Sequence, residues 1–141
     1  MPKRRPIDTH LRPIGVVRSP LRTRAAAPRL GTEGAPDAWL ELDASVARGL
    51  GAIAAGDALI VITWLHRARR DVLAVHPRGD MKRSIVGVFT TRSPDRPNPI
   101  GLHRVTVRER VGARLRVGPI EALDGTPVID LKPALGGPTD A

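Results

Sequence analysis

His103-Arg104-Val105-Thr106-Val107-Arg108-Glu109-Arg110, followed across Val111-Gly112-Ala113 by Arg114-Leu115-Arg116-Val117, reads as two short strands joined at a glycine. Val105 and Val107 alternate with polar residues, which puts the apolar side chains on one face of an extended chain. Gly112 between the two runs is a hairpin signal. Working outward, Ala58-Leu59-Ile60-Val61-Ile62-Thr63-Trp64 is continuously apolar and rich in β-branched residues, as expected of a central buried strand. Residues 39–43 alternate in the same way, and residues 14–17 predict a short first strand. Residues 71–75, 84–90 and 127–131 predict three more. Helical periodicity is weak. Only residues 46–53 read as a short helix, capped by Asp43 or Ser45 and weakened by Gly49 and Gly51. Short strands at hairpin spacing predict an all-β fold, an antiparallel barrel or sandwich with one short helix and long loops.

The 141 residues are expected to form one domain over residues 11–133, between a flexible basic N-terminus (1–10) and a flexible C-terminal tail (134–141). Hydrophobic content of 41% suits a folded globular chain. No apolar run approaches the roughly 18 residues of a membrane span, and no apolar signal core follows the basic start. The absence of cysteine excludes disulfides, thiolate catalysis and zinc–cysteine sites, and is compatible with a cytoplasmic location. The net charge of +9 comes almost wholly from arginine, lysine occurring only at positions 3, 82 and 132. That excess fits a polyanionic partner such as RNA, and it equally fits the codon bias of a GC-rich genome. With only 2% aromatic residues, a base-stacking platform is poorly supported.

The most distinctive segment is Thr91-Arg92-Ser93-Pro94-Asp95-Arg96-Pro97-Asn98-Pro99-Ile100-Gly101-Leu102. Its three prolines fix their own φ and bias the preceding residues toward extended backbone, so the segment predicts a stiff loop. Stiffness of that kind suits a ligand-holding wall, because little entropy remains to be lost on binding. A second long loop, residues 21–36, is rich in Arg, Ala, Gly and Pro and has no periodicity.

The common enzyme signatures are absent. His10, His66, His76 and His103 fall at no metal-ligand spacing, so no metal site is expected. Neither Ser19 nor Ser93 lies in a nucleophile elbow, and the glycines match no phosphate loop. Asp130 is set between Ile129 and Leu131 in an apolar segment, where a carboxylate needs a partner; Arg92 and Arg96 are the candidates.

The run from Val86-Gly87-Val88-Phe89-Thr90 through Leu102 closely resembles the signature of the TsaA-like (TrmO) family. Ile14-Gly15-Val16-Val17-Arg18-Ser19-Pro20 and Asp124-Gly125-Thr126-Pro127-Val128-Ile129-Asp130-Leu131-Lys132-Pro133 resemble its flanking blocks, in the family's order. The resemblance implies a small antiparallel β-barrel acting as an S-adenosyl-L-methionine-dependent methyltransferase. It implies a homodimer with the cofactor near the dimer contact, and methylation of the exocyclic amine of threonylcarbamoyladenosine beside the anticodon of tRNA. Carried over by motif, the cofactor-binding residues are Pro28, Arg29, Leu30, His66, Arg67, Arg92, Leu102, Val128, Ile129, Asp130 and Leu131. Asp130 or His66 is the candidate proton acceptor.

Two departures from the family pattern stand out. Leu30 occupies a position where the family often has glutamine, and the sequence ends at Ala141 where many members continue into a further domain. A non-catalytic RNA-binding barrel and a methyltransferase for a small molecule are the alternative readings.

Overall fold

The computed structural model describes Arg5 and residues 7–136; the readings of the remaining terminal residues lie outside it. Six strands close into an antiparallel barrel: β1 (Gly15–Arg18), β2 (Ala38–Leu42), β3 (Ala58–Trp64), β6 (Ile100–Val111), β7 (Arg114–Gly118) and β8 (Pro127–Pro133). Their order around the barrel is β1-β2-β7-β6-β3-β8. Between β3 and β6 a two-stranded ribbon stands off the barrel, formed by β4 (Ala74–Val75) and β5 (Val86–Gly87).

The expected hairpin forms, with Val111 paired to Arg114 and Gly112 at φ 58°. A positive φ at the first central residue of a two-residue loop matches the strand twist and favours glycine there. Alternation along β6 and β7 turns Val105, Val107, Leu115 and Val117 inward. They meet Val17, Leu40, Leu59, Val61 and Val128 from the other strands in one core. Closure leaves no barrel edge unpaired for edge-to-edge association.

The central strand β3 pairs β6 from Ala58↔Thr106 to Trp64↔Ile100, and pairs β8 on its other side. Four sequence expectations are corrected in extent. β6 begins at Ile100 rather than His103, because β3 continues to Trp64 and offers partners to the end of the signature run. The strand expected over residues 84–90 is only β5, after which the chain turns through a 3-10 segment, Val88–Thr90. The strand expected over 71–75 shrinks to β4, whose only partner is that short strand. The expected helix is a 3-10 segment, Ala44–Leu50, where Asp43 caps with its carbonyl (to Val46 N, 3.1 Å) and not its side chain. Among the described residues no helix is long and apolar enough to cross a membrane.

Candidate functional site

The proline-rich run is fixed on both sides. Leu65 N donates to Pro99 O at 2.7 Å where β3 ends, and Arg96 N donates to Arg69 O at 3.0 Å. The Arg96 guanidinium turns back into its own loop, donating to Thr91 O at 2.9 Å and to Val88 O. Asp95 accepts Arg69 N at 2.8 Å and both terminal nitrogens of Arg24, from the first long loop, at 3.0 Å each. Arg70 lies over the Trp64 ring at 5.1 Å and donates to Pro97 O at 2.9 Å. Asp95, Arg96 and Arg70 are therefore spent on holding the wall. Arg92 is exposed and has no hydrogen-bond or ion-pair partner among the described residues.

The wall faces a cleft of about 1250 Å³, above the roughly 300–1,000 Å³ usual for small-ligand sites. Pro28, Arg29 and Leu30 of the first loop, His66 and Arg67 after β3, and Arg92 and Leu102 of the signature run all line it. A second hollow, about 620 Å³ and more open, lies beside Trp39. Its Arg18 and Arg116 are already committed to Glu41 and Asp37.

Ion pairs tie the first loop over the cleft at two points: Arg24 to Asp95, and Glu33 to Arg78 of the turn after β4. Partial burial raises the Asp95 carboxyl, but the Arg24 guanidinium and the Arg69 N–H outweigh it and leave the group below its usual range. The hydrogen bond from Arg78 lowers Glu33. His66 is lowered first by desolvation and then by the neighbouring Arg67 cation, which favours the neutral imidazole.

At the floor lies a buried polar cluster that the sequence reading passed over. His103, its side chain 3% exposed, bridges Thr63 Oγ1 at 2.7 Å and Glu121 Oε1 at 2.6 Å. The same alternation that turns Val105 and Val107 inward turns His103 inward one step earlier. A histidine in an otherwise apolar inward series demands a polar partner, and that signal was legible in the sequence. Gly101 keeps the cluster closed: a Cβ there would come within 2.3 Å of Thr63 Oγ1 and 2.7 Å of His103 Nε2. Glu121, Ala122, Leu123 and Thr126, on the segment leading into β8, also line the cleft.

The four β8 residues carried over by motif lie elsewhere. Val128 is fully buried in the core, and Val128, Asp130 and Leu131 are rungs of the ladder with β3. Asp130 is half-exposed, 3.4 Å from Lys132, and pairs with neither Arg92 nor Arg96. The expected arginine–Asp130 pair is thus corrected: a bulge at Ile129, where Thr63 pairs with Val128 but Ile62 pairs with Asp130, breaks the alternation that would have placed Asp130 on the inward face of Val128, and solvent and Lys132 satisfy it. Among the described residues no three His, Asp or Glu side chains are grouped to hold a metal.

Residues 16–137 match the profile of the tRNA-methyltransferase O N-terminal domain. The chain belongs to that family. The match runs through the barrel strands and takes in every lining residue of the cleft. Among its relatives is a probable S-adenosyl-L-methionine-binding protein of Methanothermobacter thermautotrophicus, 42% identical over 127 residues and covering 90% of both chains. An S-adenosyl-L-methionine-binding protein of Archaeoglobus fulgidus is 46% identical over 122 residues, 86% of each chain. The crystal structure of TrmO from Pseudomonas aeruginosa superimposes with a TM-score of 0.73 at 26% identity, over 96% of this chain. This chain spans 61% of that TrmO's length. The barrel of the TrmO family, expected from the resemblance, is the barrel observed.

Proposed function

We propose that this TrmO-family chain is an S-adenosyl-L-methionine-dependent methyltransferase acting on tRNA, at the exocyclic amine of threonylcarbamoyladenosine beside the anticodon. The observation that carries the reading is the division of labour in the signature loop. Asp95 and Arg96 lock the wall, while Arg92 stands in the cleft with its guanidinium uncommitted.

The lining fits the donor by its chemistry. Arg92 suits a carboxylate, which a guanidinium can bind bidentately. Pro28, Leu30 and Leu102 supply apolar surface suited to a purine. When bound, S-adenosyl-L-methionine supplies an electrophilic methyl carbon on a sulfonium. The chain itself contributes alignment and exclusion of water, and a proline-stiffened wall gives both with little reorganisation. His66 lines the cleft with its pKa lowered, so it is neutral at pH 7 and able to accept the proton that the methylated amine releases. Asp130 sits outside the cleft and takes no part in this reading.

Arg29 and Arg67, which line the cleft and are held by no carboxylate among the described residues, give a cationic lining suited to the phosphates of an RNA acceptor. Met81, Ile85 and Phe89, exposed on and beside β5, offer an apolar surface for a second copy, so the working species is a homodimer, acting in the cytoplasm where tRNA is modified.

Calorimetry with S-adenosyl-L-methionine tests the first half, and transfer of labelled methyl to threonylcarbamoylated against unmodified tRNA tests the second. Donor binding with no label in either RNA would overturn the tRNA acceptor and leave a small-molecule methyltransferase. No donor binding at all would leave a non-catalytic RNA-binding barrel.

A further inference from the structure

Two carboxylates line the cleft, and they are held differently. Asp95 is clasped by the Arg24 guanidinium and serves the wall. Glu121 instead receives its Oε1 contact from His103 Nδ1, and its other oxygen, Oε2, would lie 3.2 Å from a Cβ at Gly31 of the first loop. Its side chain is 19% exposed and lines the cleft, whereas His103 behind it is 3% exposed. Thr63 Oγ1 holds the far ring nitrogen of His103, so the histidine cannot rotate to another partner without leaving a buried group unpaired.

This is the arrangement of a carboxylate fixed from behind and open in front. Of the arginines lining the cleft, Arg24, Arg78 and Arg96 are held by partners, while Arg29, Arg67 and Arg92 are held by no carboxylate among the described residues. Glu121 is the acceptor at its floor. Gly101 has no room for a side chain between Thr63 and His103, so the cluster is built into the closest packing of β3 against β6.

We infer that Glu121, oriented by His103 and Thr63, is a ligand-contacting residue that accepts a hydrogen bond from an amine or ammonium N–H of the bound molecule. The inference rests on the donor reading above. Two sources carry that chemistry: the α-ammonium of S-adenosyl-L-methionine, and the acceptor amine that receives the methyl group.

Glu121→Gln is isosteric, can still accept from His103 Nδ1, and puts a donor in place of an acceptor toward the ligand. Calorimetry on wild type and variant with S-adenosyl-L-methionine and with 5′-methylthioadenosine, which lacks the amino-acid end, separates the sources. For the α-ammonium, the variant loses roughly 10- to 100-fold in affinity for the full donor and keeps its affinity for methylthioadenosine. For the acceptor amine, donor affinity is unchanged and labelled-methyl transfer falls by a similar factor.

Unchanged binding and transfer, or equal losses with both ligands, would overturn the inference; the second result marks a structural role. Should the variant not fold, the His103 ring nitrogens of the wild type are followed by NMR as the same two ligands and the acceptor RNA are added. A shift with the full donor but not with methylthioadenosine, or a further shift with the acceptor, supports contact through Glu121. No shift, or the same shift with both small ligands and none with the acceptor, overturns it. A wild type that binds no donor defeats the donor reading itself. A wild type that binds it, with Glu121→Gln indistinguishable, defeats only this inference.

Discussion

Asp95 of the signature loop accepts both terminal nitrogens of Arg24, 71 residues earlier in the chain, at 3.0 Å each. The pair joins the first long loop to the proline-rich wall on the rim of one cleft. Arg24 is 47% and Asp95 21% exposed at the side chain, so the bond contributes only about 1 kcal/mol or less to global stability. Its larger effect is to hold a loop that has no regular structure of its own apart from a single 3-10 turn, Gly31–Glu33.

Arg24→Ala is expected to leave the melting temperature within a few degrees of wild type and to speed proteolysis within residues 21–36. Donor affinity falls roughly three- to tenfold, since the ordering of the loop must then be supplied by the ligand. Asp95→Ala is more damaging than Arg24→Ala, because it also removes the acceptor of Arg69 N. Limited proteolysis and calorimetry on the two variants check the ranking.

Arg92→Ala and Arg96→Ala separate binding from architecture. Among the described residues Arg92 has no intramolecular partner to lose, so its removal abolishes donor binding by calorimetry while thermal stability is unchanged. Arg96 donates to two loop carbonyls, and its removal destabilises the protein by roughly 1–3 kcal/mol in denaturant titration. The reverse pattern would exchange the two roles.

Gly101→Ala places a methyl group against Thr63 Oγ1 and His103 Nε2, neither of which can give way without opening the buried cluster. A loss of roughly 1–3 kcal/mol in stability is expected, measured by denaturant titration. Gly49→Ala, where a Cβ meets nothing within 4 Å, is the control and leaves stability nearly unchanged.

The pH dependence has a definite sign. Asp95 has its folded pKa below the ordinary 3.8, so its contribution is fully present above that value and is lost as pH falls through the lower folded value. Asp95→Asn therefore flattens the acid limb of the stability curve. His66, also depressed, binds its proton more weakly folded than unfolded, so it subtracts stability as pH falls below 6.5. The His66 ring signals followed by NMR are expected to titrate with a midpoint under 6.5.

Local periodicity was enough for the strands that have long partners. The alternation at Val105 and Val107, the turn at Gly112 and the apolar run from Ala58 to Trp64 each fix a local geometry from neighbours in sequence. The residues of the two loops and of the turn after β3 that were carried over by motif do converge on one cleft. Other features depend on contacts distant in the chain. β6 starts three residues early only because Trp64 is there to pair with Ile100, and β5 is short because β4 offers it only two rungs. Asp130 reads as a buried carboxylate seeking an arginine, yet a bulge at Ile129, set by the pairing with β3, turns it outward to Lys132. Patterns local in the chain specify a set of short strands, a stiff arginine-bearing loop and a family resemblance. Closure of the barrel decided which arginine stays free and which carboxylate lies at the floor of the cleft. Those outcomes turn on pairings such as Arg24 with Asp95 and His103 with Glu121, and no local pattern specifies the partner across such a separation.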